Sequence, residues 1–133
     1  MTFSKLFFSF LTAGFLLASC SNSQGQSSYK NIDVNKAEEI IKTTENVVVL
    51  DVRTPQEFSE GHIENALNID IYSSDFETQL AQLDKSKNYV VICRSGGRSA
   101  KASDKMIELG FENVSNVEGG FSSWSSSGKP SVK

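Results

Sequence analysis

The sequence predicts a single α/β domain: a small parallel sheet with helices on both of its faces. Two observations carry this reading. Val47-Val48-Val49-Leu50 and Tyr89-Val90-Val91-Ile92 are unbroken apolar runs rich in β-branched side chains, the pattern of strands buried on both faces. Around them lie stretches with helical periodicity, and strands alternating with helices form βαβ units. A chain of 133 residues is long enough for one ordinary domain.

Residues 1–19 stand apart from that domain. Met1 to Lys5 carries one charge, and Leu6 to Ala18 is apolar or small, with Phe7, Phe8, Phe10, Phe15, Leu16 and Leu17 dominating. This has the length of a signal-peptide core and is short for a membrane-spanning helix. Leu17-Ala18-Ser19-Cys20 resembles the lipobox of bacterial lipoproteins. That resemblance implies a signal peptide over 1–19, a Cys20 acylated through its thiol, and export to the face of a bacterial membrane. More than one acyl chain holds a protein stably on a bilayer. Residues 20–30 (Ser, Gln, Asn and Gly with one aromatic) then read as a flexible tether.

Within the domain, expected over residues 31–127, each element has its own signal. Ile32-Asp33-Val34 reads as a short strand, and Asn35 to Thr43 as a helix with Ala37, Ile40 and Ile41 inward. After the strand Val47–Leu50, Thr54-Pro55-Gln56-Glu57 opens a helix: Thr54 caps, Pro55 suits the first position and Glu57 completes a capping box. Ala66 to Ile69 reads as a strand, Asp75 to Leu83 as a helix, and Tyr89 to Ile92 as the second buried strand. Ser99 to Leu109 is a helix stopped by Gly110, which suits a left-handed cap. Val114 to Val117 closes the sheet and Phe121 to Ser126 forms a short last helix. Residues 128–133, with Gly128 and Pro130, are expected to fray as a flexible tail.

The bulk numbers exclude some functions. The net charge is −3, and there is no basic run, so nucleic acid is not an expected partner. One His and one free Cys do not make a metal ligand set, and no cofactor is expected. With Cys20 acylated, Cys93 is the only thiol left, without a partner for a disulfide.

Cys93-Arg94-Ser95-Gly96-Gly97-Arg98-Ser99 joins a buried strand to a helix, at the carboxyl edge of the sheet where such folds place their sites. Gly96 and Gly97 let the backbone curl until successive N–H groups point inward, a nest for an anion. The helix adds its positive end, and Arg94 and Arg98 add two permanent charges, at least one of which should reach the mouth of the loop. A Cys in such a field should ionise below its ordinary pKa. Asp51 follows the other buried strand, so Asp51 and Arg53 are expected on the same edge, fixing loops through ion pairs. His62 reads as a structural hydrogen-bonding residue, and Trp124 as packing for the last helix.

At these residues the chain resembles the rhodanese family. The loop Cys93 to Arg98 is similar to the family's active-site loop (C-x4-R). Leu50-Asp51-Val52-Arg53 with Glu57-Phe58, Gly61-His62-Ile63, Ala66 and Asn68-Ile69 resembles its first signature. Leu109-Gly110-Phe111 and Asn113-Val114 resemble the segment after the active-site helix, and Gly119-Gly120-Phe121 with Trp124 its closing signature. Asn65 stands where the family often has Gly, and Asn tolerates a positive φ. The resemblance implies a rhodanese-like sheet of about five strands and a ping-pong sulfur transfer. Cys93 is then the nucleophile and the backbone of Arg94, Ser95, Gly96, Gly97 and Arg98 the substrate cradle, with Arg98 closing the loop and Arg94 facing the substrate. The implied partners are a sulfur-containing anion such as thiosulfate, a thiophilic acceptor (cyanide or a thiol), and a protein that takes up sulfur. Two other functions use similar parts: a persulfide carrier or docking module without turnover, and a Cys-dependent phosphatase. The phosphatase loop is one residue longer (C-x5-R), which makes a wider cradle.

Overall fold

The computed structural model describes residues 28–133. The expected signal peptide, Cys20 and most of the tether lie outside the described residues. Five strands and five helices alternate along the chain: β1 (Lys30–Ile32), α1 (Val34–Thr43), β2 (Val47–Asp51), α2 (Pro55–Glu60), β3 (Leu67–Asn68), α3 (Phe76–Ala81), β4 (Asn88–Ile92), α4 (Gly97–Glu108), β5 (Asn113–Val117) and α5 (Gly120–Ser126). The strands form one sheet in the order β1-β5-β4-β2-β3, every neighbouring pair parallel.

Alternation along β2 and β4 sends side chains to both faces, so neither strand has a polar side. Leu50 and Val91 pack with Leu80, Ala102, Met106 and Phe111 on the face of α3 and α4. Val49, Val90 and Ile92 pack with Val34, Ala37, Val117 and Trp124 on the face of α1 and α5. Burial of two faces is why both runs are continuously apolar rather than alternating.

The first strand differs from expectation. It ends at Ile32, because the Asp33 carboxylate accepts the Lys36 N–H at 2.8 Å and caps α1, drawing Val34 into the helix. The cap outweighs the β-preference of Val34. Thr54 and Glu57 form the expected capping box, and Asn65 takes a φ of 62°. Asn46 also has a positive φ, 55°, in the turn before β2.

Residues 128–133 are the clearest departure, since they are held rather than frayed. Val132 and His62 exchange backbone hydrogen bonds at 2.9 Å in each direction, and Pro130 O accepts the Trp124 indole N–H at 2.9 Å. Lys129 reaches Glu38 on α1. The weakly apolar sequence Gly-Lys-Pro-Ser-Val-Lys hides these contacts because most of them are made by its backbone.

Candidate active site

Asp51 and Ile92 are partners in register, so the chain leaving β2 and the chain leaving β4 meet at one edge of the sheet. Cys93 follows β4 directly and is 1% exposed. Its Sγ accepts the Gly96 N–H at 3.1 Å and the Ser99 hydroxyl at 3.3 Å. Burial pushes the thiol's pKa up. The Ser99 hydroxyl and the backbone N–H groups of Ser99, Gly96 and Ser95 outweigh it, and the net shift is downward. The direction expected from the sequence therefore holds; hydrogen bonds to the sulfur are its largest favourable cause, and the Arg98 charge is coupled to Cys93 as well.

The loop N–H groups converge because its carbonyls are claimed from outside. Cys93 O accepts the Phe121 N–H at 2.8 Å, and Arg94 O accepts the Ser122 N–H at 3.0 Å. The first turn of α5 thus holds the loop by its outward groups, leaving N–H groups to face the sulfur. Gly120 makes that approach possible: a Cβ on it would stand 2.5 Å from Cys93 O and 2.6 Å from Arg94 O. The two loop glycines have different uses. Gly96 has φ 104° and packs on Gly119 N and Val117 O, whereas Gly97 begins α4 with nothing near its Cα face. The curl expected of both glycines rests on Gly96 alone.

The two arginines also part company. Arg98 forms a two-pronged ion pair with Glu57 of α2, at 2.8 and 2.7 Å. The Arg98 guanidinium holds the Glu57 carboxyl down at about 2, and Glu57 in turn raises the pKa of Arg98. Glu57 also accepts the N–H and hydroxyl of Thr54, so one carboxylate caps α2 and ties it to the loop. Arg98 clamps the loop to α2, which leaves Arg94 as the loop arginine without an ion pair among the described residues. The Arg98 guanidinium also lies 5.7 Å from the ring centre of Tyr72, a residue 71% exposed. Arg94 makes no ion pair among the described residues.

Asp51 and Arg53 are buried together beside this loop. Arg53 gives Nε and Nη2 to the Asp51 carboxylate and Nη2 to Gly61 O at 2.7 Å, and stacks 4.2 Å from the Phe121 ring centre. Asn68 Nδ2 donates to Asp51 O at 3.0 Å and Arg53 O at 2.9 Å. The brace runs from the strand ends to α5, and through Phe121 to the backbone of Cys93. His62 serves this region as structure: Nδ1 lies 2.9 Å from Phe58 O and its ring stacks on Phe58. Trp124 is buried under α5 as expected.

Ser99, Glu57 and Gly120 are the site residues that sequence reasoning did not assign. Ser99 follows directly on the loop, Glu57 has a sufficient local explanation as a cap, and Gly120 shows its use only when α5 meets the loop.

The rhodanese-like domain model matches residues 33–127. The chain belongs to the rhodanese-like family. Over 91 residues it is 40% identical to thiosulfate sulfurtransferase 16, chloroplastic, of Arabidopsis thaliana, covering 61% of this chain and 76% of the plant protein. Over 100 residues it is 33% identical to the thiosulfate sulfurtransferase GlpE of Shewanella oneidensis, covering 74% of this chain and 94% of that protein. Among solved structures, a rhodanese-related protein from Thermoplasma volcanium shares 40% identity at a TM-score of 0.69, over 78% of this chain and 98% of its own. The five-stranded parallel sheet between helices is the rhodanese-like fold.

Proposed function

We propose that this rhodanese-like chain is a sulfurtransferase that carries sulfane sulfur as a persulfide on Cys93. One observation carries the reading: a buried thiol with a lowered pKa lies in a ring of N–H donors, capped by the Ser99 hydroxyl. The Cys93 thiolate attacks the outer sulfur of a donor such as thiosulfate. A bond forms from Sγ to that sulfur, the bond to the sulfonate sulfur breaks, and sulfite leaves with the electron pair. The same N–H groups then hold the outer sulfur of the anionic persulfide, where charge has moved. An acceptor nucleophile, cyanide or a thiolate, attacks the outer sulfur and returns the thiolate to Cys93.

Arg94, unpaired at the loop's first position, draws the donor anion, while Arg98 and Glu57 hold the loop's shape. Asp51 and Arg53 support the edge without touching the sulfur. Outside the described residues, the match of Leu17 to Cys20 to a lipobox supports a lipid anchor on Cys20 and action at a membrane face outside the cytoplasm. A Cys20→Ser variant that leaves the membrane fraction unchanged would remove that part of the proposal. The reaction itself is tested by steady-state thiocyanate formation from thiosulfate and cyanide. Parallel double-reciprocal lines and many turnovers are expected. A single stoichiometric discharge points instead to a carrier without turnover.

A further inference from the structure

A cavity of about 350 Å³ opens beside the loop, between α2 and α5, with Arg53, Glu57, Glu60, Arg94, Phe121 and Ser122 among its walls. Its charges are unevenly matched. Glu57 is neutralised by Arg98, and the Arg53 guanidinium by Asp51. Arg94 and Glu60 remain, opposite in sign on one cavity, with no ion pair to each other or to another described residue. The wall between them is built. Arg53 is 4% exposed, its Nε and Nη2 are taken by Asp51 and Gly61, and its Nη1 finds no acceptor among the described residues. A buried guanidinium held rigid on one side, with a free N–H₂ edge on the other, is a carboxylate donor in waiting.

We propose that this cavity binds the α-amino carboxylate end of a free amino-acid thiol, the acceptor for the sulfur on Cys93. The carboxylate bonds to Arg94 and to Nη1 of Arg53, and the ammonium faces Glu60. This rests on the reading of Cys93 as the persulfide carrier. The acceptor thiolate attacks the outer sulfur, the bond from that sulfur to Cys93 Sγ breaks, and its electron pair restores the Cys93 thiolate. The acceptor leaves as its own persulfide, with no oxidant or reductant consumed. The cavity adjoins the loop through Arg94, the residue next to Cys93 in the chain.

Binding is measured first, without chemistry, by titrating the purified protein with S-methyl-L-cysteine and following amide resonances. Shifts at Arg94, Glu60 and Ser122 are expected. The N-acetyl and the methyl ester derivatives, which lose one charge each, should bind about fivefold more weakly, the scale of one exposed charge pair. Glu60→Gln and Arg94→Gln should erase the preference for the ammonium and for the carboxylate, respectively. No shifts at millimolar ligand, or equal binding of all three compounds, would overturn the proposal. Discharge of a preloaded persulfide is then compared, per thiolate, for cysteine, 3-mercaptopropionate and 2-mercaptoethanol, and cysteine should be fastest. Binding without any persulfide loading would strike the Cys93 reading and leave the subsite standing. Loading with no preference among the three thiols would strike the acceptor subsite alone.

Discussion

Replacing Gly120 by alanine distorts the loop while leaving the Cys93 side chain and the Ser99 hydroxyl that bonds to it unchanged. The added Cβ would stand 2.5 Å from Cys93 O, 2.6 Å from the Arg94 carbonyl carbon and 2.6 Å from Arg94 O. All three are backbone atoms with no rotamer to yield, and ordinary carbon contacts begin about 1 Å farther out. The position also has φ +56°, which costs an L side chain about 1–2 kcal/mol. Together these give a loss of about 3–4 kcal/mol, within what a domain of ordinary stability survives. Relief of the overlap pushes the Cys93–Arg94 peptide away from α5 and turns N–H groups off the sulfur. A displacement near 1 Å at a reacting centre costs about 10²-fold in rate. Urea unfolding followed by Trp124 fluorescence reads the first effect, and persulfide formation per folded protein reads the second. Gly97→Ala is the control, since its Cβ meets nothing within 4 Å inside α4; it should leave stability equal or raised by about 0.5–1 kcal/mol. Native stability and loading in Gly120→Ala, or equal damage from both substitutions, would refute the claim that α5 shapes the loop.

Other perturbations test separate parts. Ser99→Ala removes the hydroxyl donor to Sγ, so the pH midpoint of Cys93 alkylation should rise and alkylation at neutral pH should slow. Glu57→Gln breaks the clamp on Arg98. Because Glu57 titrates at about 2 when folded, against 4.5 ordinarily, its contribution is complete above the ordinary value and lost as pH falls toward 2. The wild type should exceed Glu57→Gln by about 1 kcal/mol at neutral pH, with the two converging in acid urea titrations. Deleting residues 129–133 removes the bonds to His62, Trp124 and Glu38; unfolding should come about 2–3 kcal/mol sooner, and Trp124 emission should shift to the red.

Much of the fold was readable because its signals are local. Runs of β-branched residues mark buried parallel strands, and Thr54 to Glu57 carries its capping chemistry within four residues. The site was readable where one segment holds it: Cys93, the left-handed Gly96 and the following helix are contiguous. What escaped depends on contacts between segments. Arg98 reads as the residue that closes the loop, but its partner Glu57, 41 residues earlier, shows only in the fold. Gly120 is only part of the closing signature until α5 reaches the Cys93 carbonyl. The residues after Ser127 read as a loose tail because composition says nothing of backbone bonds to His62. Strand β1 slipped by two residues because Asp33 can end a strand or begin a helix, and only the bond to Lys36 decides.

The central claim is that Cys93 accepts and holds a sulfur atom. Its most direct test is the intact mass of the purified protein before and after incubation with thiosulfate. The account predicts a gain of about one sulfur atom on the thiolate, removed by cyanide and absent from Cys93→Ser. An unchanged mass with thiosulfate and with a persulfide donor would contradict it.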